Sequence, residues 1–203
     1  MSAPRRLIVG ISGATGVVYG LRVLELLREA EIETHLVITR AGDVTRAHEL
    51  PHGARELRAL ASVHHPITDI GAPIASGSFR TMGMIVAPCS VRTLAEIATG
   101  VTGNLLSRAA DVVLKERRRL VLLFRETPLH LGHIRNMLAV TEAGGIVMPP
   151  VPAFYGRPTS IGAMVTATVC RALDLFGIET GRLERWGEDL PTRPPRLRAP
   201  RDG

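Results

Sequence analysis

The sequence has 203 residues and a mass of 21.9 kDa, which suits one domain at the usual length of roughly 100–200 residues. Hydrophobic residues make up 45% of the chain and charged residues 22%, a balance that excludes a disordered or fibrous protein. The net charge is +6, but half of it lies in residues 191–203, and only 3% of the residues are aromatic. Nucleic-acid binding is therefore not expected.

The same composition bears on compartment and domain organisation. No apolar run approaches the roughly 20 residues that span a bilayer, so no membrane segment is expected. Cys89 and Cys170 are the only cysteines, too few for a disulfide framework, and they form no CxxC pair. We expect a cytoplasmic protein with reduced thiols and a single domain over residues 1–190. Residues 191–203 are rich in proline and arginine, which is typical of a disordered tail.

Apolar runs alternate with amphipathic stretches along the chain. The apolar runs predict strands at Arg6–Ser12, Glu33–Thr39, Pro66–Ile70, Met82–Ala87, Leu120–Phe124 and Gly145–Met148. The stretches between them predict helices at Val17–Ala30, Ala41–Glu49, Ala54–Val63, Ser90–Ala98, Leu105–Arg117, Pro128–Ala143 and Ser160–Phe176. We therefore expect an α/β fold, a three-layer α/β/α sandwich around a parallel sheet. In such folds the ligand-binding loops follow the carboxyl ends of the strands.

A glycine motif, Gly10-x-x-Gly13-Ala14-Thr15-Gly16, joins the first strand to the first helix. Glycines at this point let the backbone approach an anion, and the helix amino end offers N–H groups to a phosphate. The spacing differs from the dinucleotide pattern GxGxxG, and no acidic residue clearly ends the second strand to hold a ribose. A mononucleotide therefore suits the motif better than NAD, with a purely structural glycine turn as the alternative.

The segment Ala87–Thr93 follows the fourth predicted strand. Pro88 is expected to break that strand, and Ser90 or Thr93 can cap the next helix while giving a hydroxyl to a ligand. Cys89 has no histidine or other base near it in the sequence. We therefore interpret it as a small buried thiol rather than as a nucleophile.

Charged residues cluster on the fifth predicted helix and after the strand that follows it. Arg108, Asp111 and Lys115 have the spacing that places side chains on one side of a helix, which is usually a solvated face of ion pairs. Lys115 is the only lysine of the chain, a weak indication of a chemical role. Arg125 and Glu126 end an apolar strand and are expected to face a cleft or a partner. There Glu126 could stay ionised and pass a proton.

Histidines raise the question of a metal. His130 and His133, with Glu126 nearby, resemble zinc ligands, but Pro128 is expected to place Glu126 outside the helix that bears the histidines. The Glu-x-x-His pattern of helical metal sites is also missing, so no metal is expected. The pair His64–His65 is expected to lie exposed in a loop.

The last candidate segment is the proline-rich loop 149–158. Its prolines stiffen the chain that presents Phe154 and Tyr155. Together with Arg171 and Trp186, Tyr155 would make a pocket for an oxygen anion beside a π face if the three converged. The alternative is that the aromatic residues only cover the edge of the sheet.

Several long motifs closely resemble those of the UbiX flavin prenyltransferases, over roughly residues 5–188. They are GISGATG, SGSF at Ser76–Phe79, APCS, RAADVVLKERR from Arg108, RETPLHLGH from Arg125, PPVPAFY from Pro149 and RWGE from Arg185. The resemblance implies a Rossmann-like, flavodoxin-like subunit that binds FMN and forms trimers, commonly four of them in a homododecamer. It also implies metal-independent transfer of a dimethylallyl group from dimethylallyl monophosphate to reduced FMN, with release of phosphate. The prenylated FMN would then serve a UbiD-type decarboxylase.

The matched motifs also imply roles for single residues. Those that bind FMN would be Gly13, Ala14, Thr15, Thr39, Ser90, Val91, Arg92, Thr93 and Arg125. Those that hold the prenyl phosphate would be Lys115, Glu126, Tyr155 and Arg171, with Arg108 from a neighbouring subunit. The catalytic set would be Glu49 near the reacting flavin, Lys115, Glu126, and Trp186 beside the allyl group. Thr15 stands where the family usually has serine, which puts the fine position of the reacting ring in doubt.

Two other functions are compatible with a flavodoxin-like fold. An FMN-dependent cysteine-type decarboxylase would need a catalytic histidine, for which His48 beside Glu49 is the candidate, although its surroundings do not match. An electron-transfer module would have little use for Lys115, Tyr155 and Arg171 together.

Overall fold

A parallel sheet of six strands forms the centre of the protein, with the strand order β3-β2-β1-β4-β5-β6. The structure is a computed structural model that describes residues 5–189. The predicted tail, 191–203, lies outside the described residues, and the domain boundary near residue 190 stays a prediction. The strands are β1 (Arg6–Ile11), β2 (Glu33–Ile38), β3 (Val63–His65), β4 (Gly83–Cys89), β5 (Arg119–Phe124) and β6 (Ile146–Val147).

Helices cover both faces of this sheet, as the alternation of the sequence predicts. Those of the described residues are α1 (Val17–Glu29), α2 (Arg40–Glu49), α3 (Ala54–Arg58), α4 (Val91–Thr99), α5 (Leu105–Lys115), α6 (Leu131–Glu142) and α7 (Ile161–Asp174), with a 3-10 turn at Pro73–Ala75. Apolar residues of α1 and α7 share one buried core cluster, and those of α4 and α5 share the other. The three-layer α/β/α sandwich is thus confirmed. Strands β4 and β5 read as continuous apolar runs because both of their faces are covered.

The region around β3 differs from the prediction. The helix expected over Ala54–Val63 ends at Arg58, and β3 occupies Val63–His65 instead of Pro66–Ile70. The expected exposed position of the histidine pair is wrong for His65, which is buried on β3 with its Nε2 2.9 Å from Nδ1 of His35. A partner on the neighbouring strand β2 makes this burial possible, and proximity in sequence does not reveal such a partner.

Strand β4 also continues further than expected. Pro88 does not break it, because the strand runs on to Cys89, which pairs with Phe124 of β5. The pairing register is irregular between Val86 and Cys89, and such an irregularity is where a central strand can tolerate a proline.

The direction of the crossovers changes beside β1, which lies between β2 and β4. Loops from neighbouring strands diverge at such a switch point and leave a crevice beyond the carboxyl ends. Ser12 spans it, because its hydroxyl donates to the Pro88 carbonyl at 3.0 Å and accepts from the Ser90 N–H at 2.8 Å. The fold thereby fixes the glycine loop against the start of α4.

Candidate active site

A cleft of about 440 Å³ opens at the carboxyl ends of the central strands. The loops that follow β1, β4, β5 and β6 all contribute to its walls. The lining residues are Gly13, Ala14, Thr15, Ser90, Val91, Phe124, Arg125, Glu126, Thr127, Pro149 and Pro150. The structure therefore brings together most of the residues that the motifs assign to one ligand. Arg125 and Glu126 face this cleft, as expected for charges that end an apolar strand.

Glu49 occupies the amino end of α1. Its two carboxylate oxygens accept from the Gly16 N–H at 3.0 and 2.9 Å, and one of them also accepts from the Val17 N–H at 2.8 Å. The expectation that these first N–H groups of α1 bind a phosphate is therefore corrected. The chain already supplies an anion there, in the position that a helix dipole favours.

The amino end of α4, in contrast, opens into the cleft. Ser90 caps the helix by accepting from the Thr93 N–H at 3.3 Å, and the two hydroxyls are 3.2 Å apart. Val91 forms part of the cleft wall, while the exposed Arg92 points along the helix to Glu96 at 2.9 Å. The first N–H groups of a helix have no partner within the helix, so this end offers a place for an anion.

Arg125 adds an unpaired cation beside that helix end. Its Nε is buried and has no hydrogen-bond partner within residues 5–189, and its Cζ lies 5.6 Å from the centre of the Tyr19 ring. Gly16 makes room for it, since a Cβ at Gly16 would lie 2.9 Å from both Cδ and Nε of Arg125. Buried donors in folded proteins are rarely left unpaired, so the cleft fits an anionic or carbonyl-bearing ligand such as a flavin mononucleotide.

Thr39 lies just outside this cleft. Its hydroxyl caps α2 by accepting from the Gly42 N–H at 3.0 Å, and its backbone N–H donates to the Ile11 carbonyl at 2.9 Å. A Cβ on Gly13 would overlap the side chain of Ala41. The glycine at this position thus lets α2 pack directly against the loop after β1.

A second cleft, of about 540 Å³, adjoins the first across the loop after β6. Met148 and Val151 of that loop line the second cleft, whereas Pro149 and Pro150 line the first. Four arginines contribute to the second cleft, together with one carboxylate: Arg22, Arg157, Arg171, Arg182 and Glu184. Three of these arginines also pair with carboxylates, Arg22 with Glu25, Arg171 with Asp174 and Arg182 with Glu29. The cleft therefore offers several guanidinium donors, which suit a phosphate, rather than a large net positive charge.

Of the three residues expected to converge, Tyr155 and Arg171 belong to this second region, and Trp186 reaches it only through its contact with Tyr155. Tyr155 and Arg171 line the cleft, and the ring of Trp186 meets that of Tyr155 edge to face at 5.4 Å. Both rings are more than half exposed. Arg171 lies 3.2 Å from Asp174, whose carboxylate Arg185 also holds, and the hydrogen bond from Arg185 keeps the pKa of Asp174 below its usual range.

Lys115 and Arg108 do not reach either cleft within one chain. Helix α5 runs back toward the start of β5, so Lys115 lies at the amino edge of the sheet, where its Nζ is 2.5 Å from Glu116 Oε1. Arg108 pairs with Asp111 at 2.8 Å, as the spacing on the helix predicts. Their roles at a phosphate stay predictions that need a second chain.

The remaining candidates are structural in this chain. His130 caps α6, and its ring stacks on His133 with the ring centres 3.6 Å apart. Glu126 lies outside that helix, as Pro128 predicts, and among residues 5–189 there is no group of three or more side chains that could hold a metal. Cys89 is fully buried, which raises the pKa of its thiol far above the ordinary value and confirms its interpretation as a core residue.

Comparison with known proteins places the chain in a family. Residues 1–170 match the family model described as Flavoprotein. The flavin prenyltransferase UbiX of Neisseria meningitidis serogroup B is 57% identical over 182 residues, which cover 90% of this chain and 96% of that protein. The chain therefore belongs to the flavoprotein family. Within that family it belongs to the UbiX flavin prenyltransferases.

Solved structures agree with this assignment. AnUbiX (PadA1), in a complex with FMN and dimethylallyl pyrophosphate, is 51% identical with a TM-score of 0.89, covering 91% of this chain and 98% of that one. A structure from Escherichia coli O157:H7, described as a dodecameric FMN-dependent Ubix-like decarboxylase, is 49% identical with a TM-score of 0.87, covering 89% and 98%. The cysteine decarboxylase TvaF is 20% identical with a TM-score of 0.57, a likeness of fold alone. No helix in the described part of the chain is long and apolar enough to cross a bilayer.

The position of Glu49 leads to a test of the glycine loop. We expect Glu49→Gln to lower the free energy of unfolding by about 1 kcal/mol, because the amide loses the charge that stabilises the amino end of α1. Urea unfolding followed by circular dichroism measures this difference. Glu142→Gln, at an exposed glutamate on the last turn of α6, is the matched control. Equal unfolding midpoints for the two variants would contradict the capping role.

Proposed function

We propose that the two adjoining clefts hold the two substrates of this flavin prenyltransferase, reduced FMN in the first and dimethylallyl monophosphate in the second. The observation that carries the proposal is the buried, unpaired Nε of Arg125 beside the open end of α4. A cleft lined by four arginines and by Tyr155 adjoins it. Such a pair of sites suits a flavin next to a small phosphate ester.

In the first cleft, backbone and hydroxyl groups would bind the flavin nucleotide. Its ligands would be Gly13, Ala14, Thr15, Thr39, Ser90, Val91, Arg92, Thr93 and Arg125. Arg125 and the amino end of α4 supply positive charge for the phosphate or the carbonyl oxygens. When bound, reduced FMN supplies the nucleophilic ring atoms that accept the five-carbon group.

In the second cleft, the side chains would stabilise the departure of phosphate. Arg171 and the Tyr155 hydroxyl can hold the developing oxyanion, and the ring of Trp186 can face the positive charge of the allyl group. Glu126 lines the first cleft together with Pro149 and Pro150 of the loop that separates the two clefts, and in the proposed mechanism it exchanges a proton with the phosphate. Holding both substrates together accounts for much of the remaining rate enhancement.

A neighbouring subunit would complete the site. Lys115 and Arg108 lie outside both clefts of their own chain, so we propose that they meet the prenyl phosphate of another copy. The relative from Escherichia coli is described as dodecameric, and we propose the same trimer-based homododecamer here. A fixed ammonium at the leaving oxygens would lower the barrier in the way that preorganised charge does elsewhere.

The apolar surface of α6 supports such an assembly. Leu131, Ile134 and Leu138 follow one another at helical spacing, and each has half or more of its surface exposed. Exposed apolar stripes of this kind mark contact surfaces between proteins. Because α6 follows directly after Glu126, a copy seated on this stripe would lie beside the first cleft.

The fate of the product rests on the resemblance to the family. We propose that prenylated FMN passes to a UbiD-type decarboxylase, and the cytoplasmic location of the protein stays a prediction. The cysteine-type decarboxylase is less well supported, because it gives no role to Tyr155, Arg171 and Trp186. His48, its candidate base, is exposed on the last turn of α2.

The activity has a direct test. Under strict anaerobiosis, the purified protein with reduced FMN and dimethylallyl monophosphate should release phosphate and yield a flavin that is heavier by one five-carbon unit. Mass spectrometry of the extracted flavin measures this, with oxidised FMN as the control. An unchanged flavin mass would refute the proposed reaction.

The charged residues have a separate test. We expect Lys115→Ala and Glu126→Gln each to bind FMN normally but to slow prenylation by more than about tenfold, because each removes charge or proton compensation at the leaving phosphate. Flavin fluorescence reports the binding, and single-turnover mass spectrometry reports the rate. Normal rates in both variants would contradict both roles. Arg108, Asp111 and Lys115 would then be an ordinary solvated face of α5.

The α6 stripe provides a test of assembly. Ile134→Asp should shift the protein to smaller species in multi-angle light scattering, because a buried charge at an apolar contact is costly. Arg135→Asp, at the next residue of the same helix, controls for added negative charge. If the two variants have the same mass as the wild type, the stripe is not the contact between copies.

A further inference from the structure

The segment Ser76–Phe79, which carries the SGSF motif, has no role in the site described above. It precedes β4 and therefore lies at the amino edge of the sheet. Arg118 binds it through two backbone carbonyls, with NH2 at 2.6 Å from the Gly77 oxygen and NH1 at 2.7 Å from the Phe79 oxygen. The segment is thus tied to the chain that follows α5, three residues beyond Lys115, which ends that helix and is the only lysine of the protein.

Gly77 is the point of closest approach. A Cβ built on Gly77 would overlap the carboxylate of Glu116 and would lie 2.8 Å from Nζ of Lys115. The absence of a side chain therefore allows the Glu116–Lys115 pair to lie against the backbone of the segment. Gly77 has no left-handed φ that would itself require glycine, so the space is the reason for glycine here.

Glu116 lies between two cations. One of its oxygens is 2.5 Å from Lys115 Nζ, and the other is 3.9 Å from Arg118. The hydrogen bond from Lys115 lowers the pKa of Glu116 below its ordinary value, so the carboxylate stays ionised at neutral pH. Arg118, which is held on the carbonyls of the segment, thus adds a nearby positive charge on one side of Glu116, and Lys115 hydrogen-bonds the carboxylate on the other.

The segment itself is anchored. The hydroxyls of Ser76 and Ser78 are 3.0 Å apart. Phe79 packs edge to face on His35 of β2, with ring centres 5.0 Å apart, and Arg6 of β1 lies 4.8 Å above the Phe79 ring. An isolated surface ion pair contributes little to stability. The Lys115–Glu116 pair, however, lies against a segment that itself packs on β1 and β2.

We propose that Gly77, Glu116 and Arg118 form a clamp that positions the Lys115 ammonium for the phosphate of the prenyl donor. The inference rests on the role proposed for Lys115, and it makes the three residues positioning residues rather than catalytic ones. In this proposal the SGSF motif has a function. It supplies two backbone carbonyls to Arg118 and, at Gly77, the space that Glu116 and Lys115 occupy. Lysine, as a flexible point charge, needs such support more than arginine does.

The single lysine permits a measurement that is independent of activity. Reductive methylation with ¹³C-formaldehyde labels Lys115 and the amino terminus, and the ¹³C relaxation of the labelled lysine reports how strongly its ammonium is immobilised. We expect Glu116→Gln and Gly77→Ala to increase the mobility of this group relative to the wild-type protein, because each removes or displaces the carboxylate that Lys115 contacts. Gly103→Ala is the matched control, since a Cβ there would have no neighbour within 4 Å.

The kinetic arm uses the same variants without methylation. Glu116→Gln and Gly77→Ala should raise KM for dimethylallyl monophosphate about two- to fivefold, the range that one partly exposed charge contact supports, with FMN affinity unchanged. An unaltered lysine mobility in both variants would overturn the clamp. An increased mobility with an unaltered KM would also overturn the proposal, because the clamp would then not serve the phosphate. A lower KM in Glu116→Gln would show that Glu116 competes with the phosphate, which is the opposite of positioning.

The two readouts separate this inference from the proposed function. If the wild-type protein does not prenylate FMN, the function fails, and the methyl-lysine relaxation still reports whether the clamp exists. If prenylation proceeds and the relaxation shows no difference between the variants, only the clamp is refuted.

Discussion

The bridge made by Ser12 sets the geometry on which the rest of the site depends. Its buried hydroxyl joins the Pro88 carbonyl to the Ser90 N–H, and so holds the end of β1 at a fixed distance from the start of α4. The paired strands β1 and β4 end here, with a last backbone hydrogen bond from the Ser12 N–H to the Pro88 carbonyl at 3.1 Å, and the loops beyond them diverge at the switch point of the sheet. A short side chain with both a donor and an acceptor performs this task. The glycine loop and the open helix end thereby become two walls of one cleft.

Electrostatics then distinguish the two helix ends beside this bridge. At α1 the carboxylate of Glu49 satisfies the first N–H groups, so the field of that helix is already balanced. At α4 the cap is a neutral hydroxyl, and the nearby Nε of Arg125 has no hydrogen-bond partner in the described part of the chain. A negatively charged ligand therefore gains more at α4 than at α1. Glu49 thus occupies the amino end of α1 and leaves the amino end of α4 as the place where a ligand anion can bind.

Patterns within short stretches of sequence predicted the fold and most of the first cleft. The buried runs of β4 and β5, the glycine motif and the capping residue Ser90 are all local features. Contacts across the fold could not be predicted in this way: Glu49 meets Gly16 from 33 residues away, and His65 is buried because it meets His35. The position of Lys115 could have been deduced, because a helix that leads into a parallel strand must end at the amino edge of the sheet.

The location of Lys115 at the amino edge of the sheet connects the proposed catalysis with assembly. The proposed flavin ligands lie at one edge of the sheet and the proposed lysine lies at the other, so no motion of a side chain within one chain can join them. A monomer with this fold could bind a flavin but would lack the ammonium at the leaving phosphate. Arginines elsewhere in the chain bind carboxylates and carbonyls, as Arg118 and Arg185 do. The planar guanidinium, with its fixed donor geometry, suits such structural contacts. The one lysine lies on the surface at the opposite edge of the sheet, so in the proposed mechanism another copy must supply it, which makes that chemistry conditional on the quaternary structure.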